Sequence, residues 1–453
     1  MVRQAFVFIH RWVGLAMTLF LVIVGLTGSV LAFREELDTW LNPELLTVAK
    51  RDAPLLDGFT LREKAAALYP YERFDDVPLH IQPDRSVRFS QMPGMKPEDN
   101  MMEKIAEFYL DPYTGEKLGE RPIWSSPSLE RKNIISFLYR LHFSLASPWG
   151  GWYVGGHSVG AFILGVTALV WTIDCFIAFY LTFPLRWRLS GDGSRPAKSW
   201  WSRWKPAWLI KLNAGAYRMN FDVHRAFGLW TWAMLFVFAW SSVALNLGEV
   251  YTPTMKLLFG SPEQTANAPA PAKPVETPAL GSREAYARGN ALLHAEAKRR
   301  RLSIERENDL SLNRDSGVYT LSARSSGDVT KTGMTTVSFD ADTGELREAS
   351  FPGDPPPKNT GDVITSWLIW LHVAAVFGLS MQIFVCVMGL VITALCATGV
   401  YIWWKKRKAR MYSLTQSLSS NSSHTGSGKL ASALGTSAQS QGSVTNLRSA
   451  PDE

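Results

Sequence analysis

The chain has 453 residues, 46% of them hydrophobic with 18 tryptophans, yet its mean hydropathy is only −0.03. A mean near zero that hides strongly apolar stretches between polar ones argues against a soluble protein and for a multi-pass membrane protein. The net charge of +7 does not indicate nucleic-acid binding, because the basic residues cluster beside the apolar stretches.

Four apolar segments are long enough to cross a bilayer core, which takes about 20 helical residues. They cover approximately residues 5–33, 154–184, 227–247 and 364–404. The fourth is too long for a perpendicular span, so we expect it to begin as an extension outside the membrane. The first has no small-residue cleavage site before Arg34, and we expect a retained helix rather than a signal peptide.

Basic residues set the expected orientation. They crowd the loop after the second segment and the end of the fourth, and the N-terminus carries Arg3 and Arg11. The positive-inside rule therefore predicts cytoplasmic N- and C-termini in a bacterial inner membrane and two long periplasmic loops. The tail lacks aromatic residues after Tyr412 and is rich in Ser, Gly and Thr, so we expect it to be disordered.

The predicted fold class is an α-helical integral membrane protein, a four-helix transmembrane bundle with two small α+β periplasmic domains. The expected parts are helix 1 (1–33), periplasmic domain 1 (34–140), a periplasm-side segment with helix 2 (141–188), a basic cytoplasmic loop (189–223), helix 3 (224–250), a linker with periplasmic domain 2 (251–362), helix 4 (363–408) and a disordered tail (409–453).

The two halves of the chain repeat each other. The motif H-R-x-x-G-L occurs at residues 10–15 and 224–229, and a Leu-His pair precedes the second and fourth spans. The motif D-x-x-T-G occurs at residues 111–115 and 340–344, where strand-like residues on both sides predict a β-hairpin. Each copy runs from inside to outside and back, which indicates a parallel repeat about an axis along the membrane normal.

Five of the eight histidines lie in or beside the spans, where ionisable residues indicate function by default. Spacing along the helices places His10 and His224 at one depth near the inner face. It places His372 near the outer face, with either His157 or His142 as its partner. Facing imidazoles in a helix bundle are typical ligands of haem iron, so the pattern predicts two b-type haems in two layers.

Other features of the same helices have more than one interpretation. Arg11 and Arg225 pair with haem carboxylates or anchor the inner face, and Asp174 serves the haem site, relays protons or forms an interhelical hydrogen bond. A single interfacial histidine is often only an anchor, and the chain offers no clustered carboxylates or thiolates for zinc or copper. Small residues either admit a flat macrocycle or serve helix packing. They are Gly14, Gly25, Gly28, Gly160, Gly165, Gly228, Gly378 and Gly389.

The motifs at residues 10–15, 111–116, 141–145, 222–230 and 371–378 resemble the PepSY-associated transmembrane family over about residues 1–408. The resemblance implies PepSY-like periplasmic domains, and it places His10, His224, His142 and His372 on the family's histidine positions. His157 fits by depth alone. Family members are similar to iron-regulated inner-membrane proteins, of which the best understood are haem-containing reductases of ferric siderophores.

We therefore expect a di-haem ferric reductase. Electrons would enter from a flavin, a quinol or a partner reductase in the cytoplasm and leave to a ferric siderophore or other iron chelate in the periplasm. Reduction weakens hard-oxygen chelation and releases iron. The chain has no nicotinamide or ATP motif, and no catalytic residue is assigned. Two alternatives stay open, a non-enzymatic envelope regulator or binding protein and a component of an iron or siderophore transporter.

Overall fold

The computed structural model describes residues 2–90, 92–93, 106–122, 129–147, 153–154, 157–184, 199–260, 275–354 and 360–435, with residues 414–435 described by their backbone alone. Parts of the predicted cytoplasmic loop (189–198), linker (261–274) and tail (436–453) therefore lie outside the described residues.

Three helices of the described chain are long and apolar enough to cross a membrane. They are α1 (Val2–Leu31), α6 (Val159–Thr182) and the first 36 residues of α13 (Gly378–Gly435). A fourth crossing requires α8 (Ala216–Trp230) and α9 (Trp232–Asn246) to act together, and these two helices meet at 67°. The expected bundle of four spans is therefore found as three helices, or four if the bent pair is one span.

The prediction of one continuous third helix over residues 224–250 is corrected by a break at Thr231. The Thr231 hydroxyl donates to the carbonyl of Phe227 at 2.7 Å, and the Thr231 amide donates to the same oxygen at 3.1 Å. Threonine side chains that compete for a backbone carbonyl in this way bend helices. The indole of the next residue, Trp232, donates to the carbonyl of Cys175 at 2.9 Å and fixes α9 against α6.

The fourth apolar segment is also two helices, as its length predicted. The extension is α12 (Thr360–His372), and α13 follows after a short break. Ala374, Phe377 and Gly378 have φ angles of 55°, 60° and 58°, which end one helix before the next begins. The first half of the chain does the same, because α5 (Ile134–Ser144) ends at Leu145 with φ 52° before α6 begins.

Helices α1 and α13 cross at close range, and glycine makes this approach possible. A Cβ atom added to Gly25 would lie 2.8 Å from the carbonyl oxygen of Gly389, and one added to Gly389 would lie 2.4 Å from that of Gly25. The Ser29 hydroxyl also donates to the carbonyl of Cys386 at 2.8 Å. Small residues at a crossing let two backbones approach within membranes, so these two glycines serve packing.

The first of the two segments predicted to lie outside the membrane, here called the outer segments, follows α1 directly. Its helices are α2 (Arg34–Leu41), α3 (Pro43–Leu46) and α4 (Gly58–Leu68). Its strands are β1 (Glu72–Arg73), β2 (Asp76–Pro78), β3 (Val87–Ser90), β4 (Met92–Pro93), β5 (Ala106–Leu110) and β6 (Lys117–Pro122). The antiparallel sheet β3-β5-β6 packs on α4 through a core that includes Leu61, Phe89 and Phe108.

The second outer segment begins with α10 (Gly248–Phe259). Its next described helix is α11 (Ser282–Arg299). Its strands are β9 (Ile304–Asn313), β10 (Val318–Ser325), β11 (Thr335–Asp340) and β12 (Leu346–Ser350). These four form a sheet with β2, in the order β12-β11-β10-β9-β2. The two predicted α+β domains are therefore joined, because a strand of the first segment completes the sheet of the second.

Both D-x-x-T-G motifs form the predicted hairpin turn, and the two turns are built alike. Asp111 accepts hydrogen bonds from the amides of Tyr113 and Thr114, and Asp340 accepts them from the corresponding amides of Asp342 and Thr343. The glycine of each motif has φ 70°, the left-handed conformation that glycine adopts most easily. The sequence repeat is therefore also a structural one.

The described residues also form β7 (Tyr153–Val154), β8 (His157–Ser158), α7 (Trp200–Trp204) and two 3-10 helices (Arg131–Asn133 and Lys205–Trp208). At the C-terminus, α13 continues as a helix to Gly435, which corrects the expectation of a disordered chain from residue 409 as far as that residue. A helix that is already nucleated by its apolar span propagates at little cost into a segment that would not start one.

Candidate functional site

Four of the five histidines proposed from the sequence come together as two pairs. The rings of His10 on α1 and His224 on α8 have centres 6.2 Å apart and planes inclined by 52°. The rings of His142 on α5 and His372 on α12 also have centres 6.2 Å apart, with planes inclined by 82°. We call them the inner pair and the outer pair, following the predicted orientation.

The spacing within each pair matches that of two imidazoles bound to one metal ion. A metal–imidazole bond is about 2 Å long, so two rings on opposite sides of one ion have centres about 6 Å apart. Haem iron takes four ligands from the porphyrin and needs only two from the protein. Among the described residues, no three His, Cys, Asp or Glu side chains form a group that would hold a bare metal ion.

In the outer pair, serine and threonine hydroxyls fix the tautomer of each imidazole. The Thr27 hydroxyl donates to the carbonyl of Ile23 at 2.7 Å, and its oxygen lies 3.0 Å from His142 Nδ1. The Ser241 hydroxyl donates to the carbonyl of Val237 at 2.6 Å and lies 2.6 Å from His372 Nδ1. Because each hydroxyl proton is already committed, Nδ1–H must donate, and the lone pair of Nε2 stays available as a ligand.

The inner pair follows the same logic with different partners. His224 Nδ1 lies 3.1 Å from the carbonyl oxygen of Leu395 and 2.9 Å from the Thr398 hydroxyl, which itself donates to Leu395. His10 Nδ1 lies 2.9 and 3.0 Å from the two carboxylate oxygens of Asp174. Both imidazoles therefore carry their proton on Nδ1 and leave Nε2 free, the arrangement that outer-shell partners impose on metal-binding histidines.

The inner pair borders a cavity of about 490 Å³ within the helix bundle. A volume in this range is typical of cofactor and ligand sites. Gly14 and Gly228 line the cavity, and a Cβ atom added to either would meet nothing within 4 Å. Gly14 and Gly228 therefore leave open space for a bound group, whereas Gly25 allows two helices to pack closely.

Cationic side chains and aromatic rings complete the cavity wall. Arg225 donates to the carbonyl of Pro206 at 2.5 Å and to Asp222 at 2.9 Å, and Arg3 donates to the carbonyl of Leu181 at 2.7 Å. The basic residues that line the cavity are Arg3, Arg11, Arg225, Lys406 and Arg410. Such a wall suits a ligand that is mostly apolar and carries carboxylates, which guanidinium groups bind well.

The outer pair is packed more closely. A Cβ atom added to Gly28 would lie 3.0 Å from His142 Cε1, and the ring of Phe238 meets that of His372 edge to face at 5.3 Å. Gly28 is therefore needed so that α1 can approach the imidazole. Small residues predicted to admit a macrocycle have mixed roles, since Gly160 and Gly165 contact neighbouring chain instead.

His157 occupies a different place from the outer pair. It lies in β8, and its Nε2 atom is 3.1 Å from Glu249 Oε2 on α10. The choice between His142 and His157 that sequence left open is therefore resolved spatially, because His142 is the residue beside His372. Elsewhere in the bundle, Trp232 lines the inner cavity and Met388 packs in the core.

Three residues of the site carried no motif that would have identified them. Thr27, Ser241 and Thr398 are hydroxyl residues in apolar helices, where such residues usually bond to their own helix. Their selection as Nδ1 acceptors depends on which helices become neighbours. A weak signal was available, because Thr27 and Ser241 follow the two inner histidines by 17 residues each.

The comparison with known families agrees with the resemblance noted in the sequence. The model of the PepSY-associated TM region matches residues 7–406, which includes both histidine pairs and both repeated turns. The chain therefore belongs to this family and is a membrane protein. No curated protein matches it.

Proposed function

We propose that the protein is a membrane-embedded di-haem b reductase that passes electrons across the inner membrane to a ferric chelate, such as a ferric siderophore, in the periplasm. The observation that carries this proposal is the pairing of four histidines with every Nδ1 atom bonded to an oxygen. Both pairs have the ring spacing that two imidazoles would need to hold one haem iron, and the inner pair borders a cavity with a basic wall.

The two pairs lie at opposite ends of the bundle. His10 and Thr27, the partner of His142, are seventeen residues apart on α1. At about 1.5 Å per residue this is a rise of about 25 Å, close to the roughly 30 Å of a bilayer core. Haem held at each pair would supply one-electron redox chemistry at each face of the membrane.

The chain's own residues would do the rest. The histidines offer Nε2 lone pairs, the hydroxyls and Asp174 hold the rings in place, and the cations bind carboxylates at the inner cavity. Most of the cavity lining is apolar, and a low-dielectric environment of this kind strengthens each of these interactions. A cytoplasmic flavin or quinol is the proposed electron donor, because the sequence has no nicotinamide motif.

The periplasmic step would be the one-electron reduction of Fe(III) to Fe(II) in a chelate with hard oxygen ligands. Fe(II) binds such ligands more weakly, so reduction would release iron to a softer acceptor. The shared outer sheet lies on the same side as His142 and His372 in the predicted topology, and it is the proposed surface for the chelate.

The test is to purify the full chain in detergent and record visible spectra before and after dithionite. We expect the bands of b-type haem at about two per chain, by the two pairs. Reduced protein mixed anaerobically with a ferric hydroxamate should reoxidise, with one Fe(II) trapped by a chromogenic Fe(II) chelator for each electron lost. A colourless protein after expression with added haem would contradict the proposal and favour a non-enzymatic regulator.

A further inference from the structure

The Nδ1 partners of the four histidines differ in charge. His142, His224 and His372 donate to neutral oxygens of hydroxyl groups or a backbone carbonyl. His10 alone among these four donates to a carboxylate, that of Asp174. The asymmetry separates the inner pair from the outer one, although their ring spacing is the same.

The bond between His10 and Asp174 is set up to be strong. Asp174 is 6% exposed and lies on α6 between two apolar helices, and both of its oxygens are within 3.0 Å of Nδ1. A charge-assisted hydrogen bond gains strength in such a low-dielectric setting. A carboxylate acceptor also pulls the Nδ1 proton away from the ring, so electron density at Nε2 rises.

We propose that Asp174 is a positioning residue that makes the inner site a poorer electron acceptor than the outer site, so that electrons move outward downhill. A more electron-rich axial ligand stabilises ferric over ferrous iron, and hydrogen bonding around the ligand is one of the protein's means of tuning reduction potential. The outer histidines, with hydroxyl partners, lack this effect. This inference rests on the proposed function, since it concerns haem held by the same histidines.

The experiment is a redox titration of the purified full chain, followed by visible spectroscopy with mediator dyes. Two midpoint potentials are expected in the wild type. In Asp174→Asn the lower one should rise by at least the equivalent of a tenfold change in the one-electron equilibrium, about 59 mV, with the upper one unchanged. Asp174→Glu, which retains the carboxylate, should restore most of the difference.

A mirror variant controls for general disturbance of the bundle. Ser241→Ala removes the acceptor of His372 and should move only the upper potential. A lower potential that stays in place in Asp174→Asn, with both haems bound, would overturn the inference. So would an upper potential that moves with it.

If Asp174→Asn loses the inner haem, its potential cannot be measured in that variant. A second variant that retains Asp174 then tests the inference. His372→Ala should retain the inner haem alone, and it should titrate at the lower wild-type potential. Titration at the upper potential would overturn the inference. Failure of the proposed function looks different, because the wild type would then bind no haem and show no potentials at all.

Discussion

Val77 of β2 lies opposite Leu310 of β9 in an antiparallel pair, and each is only 1% exposed. The two residues belong to different outer segments, which are separated in sequence by two apolar helices. Arg62 of α4 also donates to Ser282 at the start of α11. The core of the second segment therefore includes residues of the first, among them Phe59 and Val77, and a disturbance of this core should affect both segments.

We expect Leu310→Ala to loosen both segments. Truncating a buried leucine costs about 2–5 kcal/mol, and here the cavity would open beneath β2 as well as β9. Hydrogen–deuterium exchange should show faster exchange in peptides that cover residues 76–78 as well as 304–313. Leu346→Ala, at an exposed position of the opposite edge strand, should leave residues 76–78 unchanged. Faster exchange confined to residues 304–313 in Leu310→Ala would contradict the shared core.

A buried ion cluster ties the helix that follows α1 to the first sheet. Arg121 of β6 donates to both oxygens of Asp38 on α2 at 2.9 and 2.8 Å, and to Glu107 on β5 at 3.2 Å. We expect Arg121→Ala to lower the free energy of unfolding by about 3–5 kcal/mol, because it leaves the Asp38 carboxylate buried without its cation, whereas Glu107 keeps its ion pair with Arg88. Thermal unfolding of the full chain in detergent would measure the loss.

The matched control for the ion cluster is Arg131→Ala. Arg131 pairs with Glu44 at 2.5 Å, but both side chains are more than half exposed, and such surface pairs contribute about 0–1 kcal/mol. Equal losses in Arg121→Ala and Arg131→Ala would show that burial of the Arg121 cluster has no special weight.

The histidines and the repeated turns were predictable because each depends on local spacing. Depth along a helix follows from residue count, so His10 and His224 could be placed at one level before any packing was known. The D-x-x-T-G turns depend on five consecutive residues. Even the bend at Thr231 left His224 beside His10, because the bend comes seven residues after the histidine.

What sequence did not predict depends on contacts between distant parts of the chain. Strand β2 is three residues long and ends in Pro78, so its own periodicity says nothing of a partner more than 200 residues away. The choice of His142 over His157 required the path of the chain between them. The hydroxyl partners Thr27, Ser241 and Thr398 became visible only once the helices were neighbours.

Substituting either histidine of a pair should remove the same single haem. On the proposed function, His10→Ala and His224→Ala should each remove the inner haem, and His142→Ala and His372→Ala the outer one, because each iron needs both axial ligands. The haem-to-protein ratio from visible spectra would fall by about one half in all four. His157→Ala should retain both haems, since this residue pairs with Glu249 instead. Haem loss in His157→Ala with retention in His142→Ala would reverse the assignment of the outer pair.

Two glycines of α1 should respond differently to a larger side chain. Gly14→Leu would project into the inner cavity, where nothing lies within 4 Å of its Cβ, and should exclude the inner haem without unfolding the chain. Gly25→Leu would drive Cβ to 2.8 Å from the Gly389 carbonyl and should destabilise the packing of α1 on α13. Haem content and thermal stability, measured together, separate the two outcomes. An unfolded Gly14→Leu protein would show that the cavity face of α1 is a packing surface.

The turn at Asp340 should weaken in acid. An ion pair with Arg347 at 2.6 Å, with help from the Thr343 amide, lowers the pKa of the Asp340 carboxyl to about 2. A carboxyl whose folded pKa lies below its unfolded value of about 3.9 contributes stability above that value, and this contribution is lost as the pH falls from about 4 to about 2. Hydrogen exchange of a peptide covering residues 335–350, corrected for intrinsic rates, should report this loss.

Asp340→Asn should abolish that acid transition, because the amide does not titrate and cannot pair with Arg347 as an ion. Its protection at neutral pH should match that of the acidified wild type. Glu345→Gln is the control, since Glu345 is exposed in the same turn and its substitution should leave the wild-type profile in place. If the transition persists in Asp340→Asn, the acid sensitivity belongs to another group. That result would contradict the proposed stabilisation of the turn by the ion pair between Asp340 and Arg347.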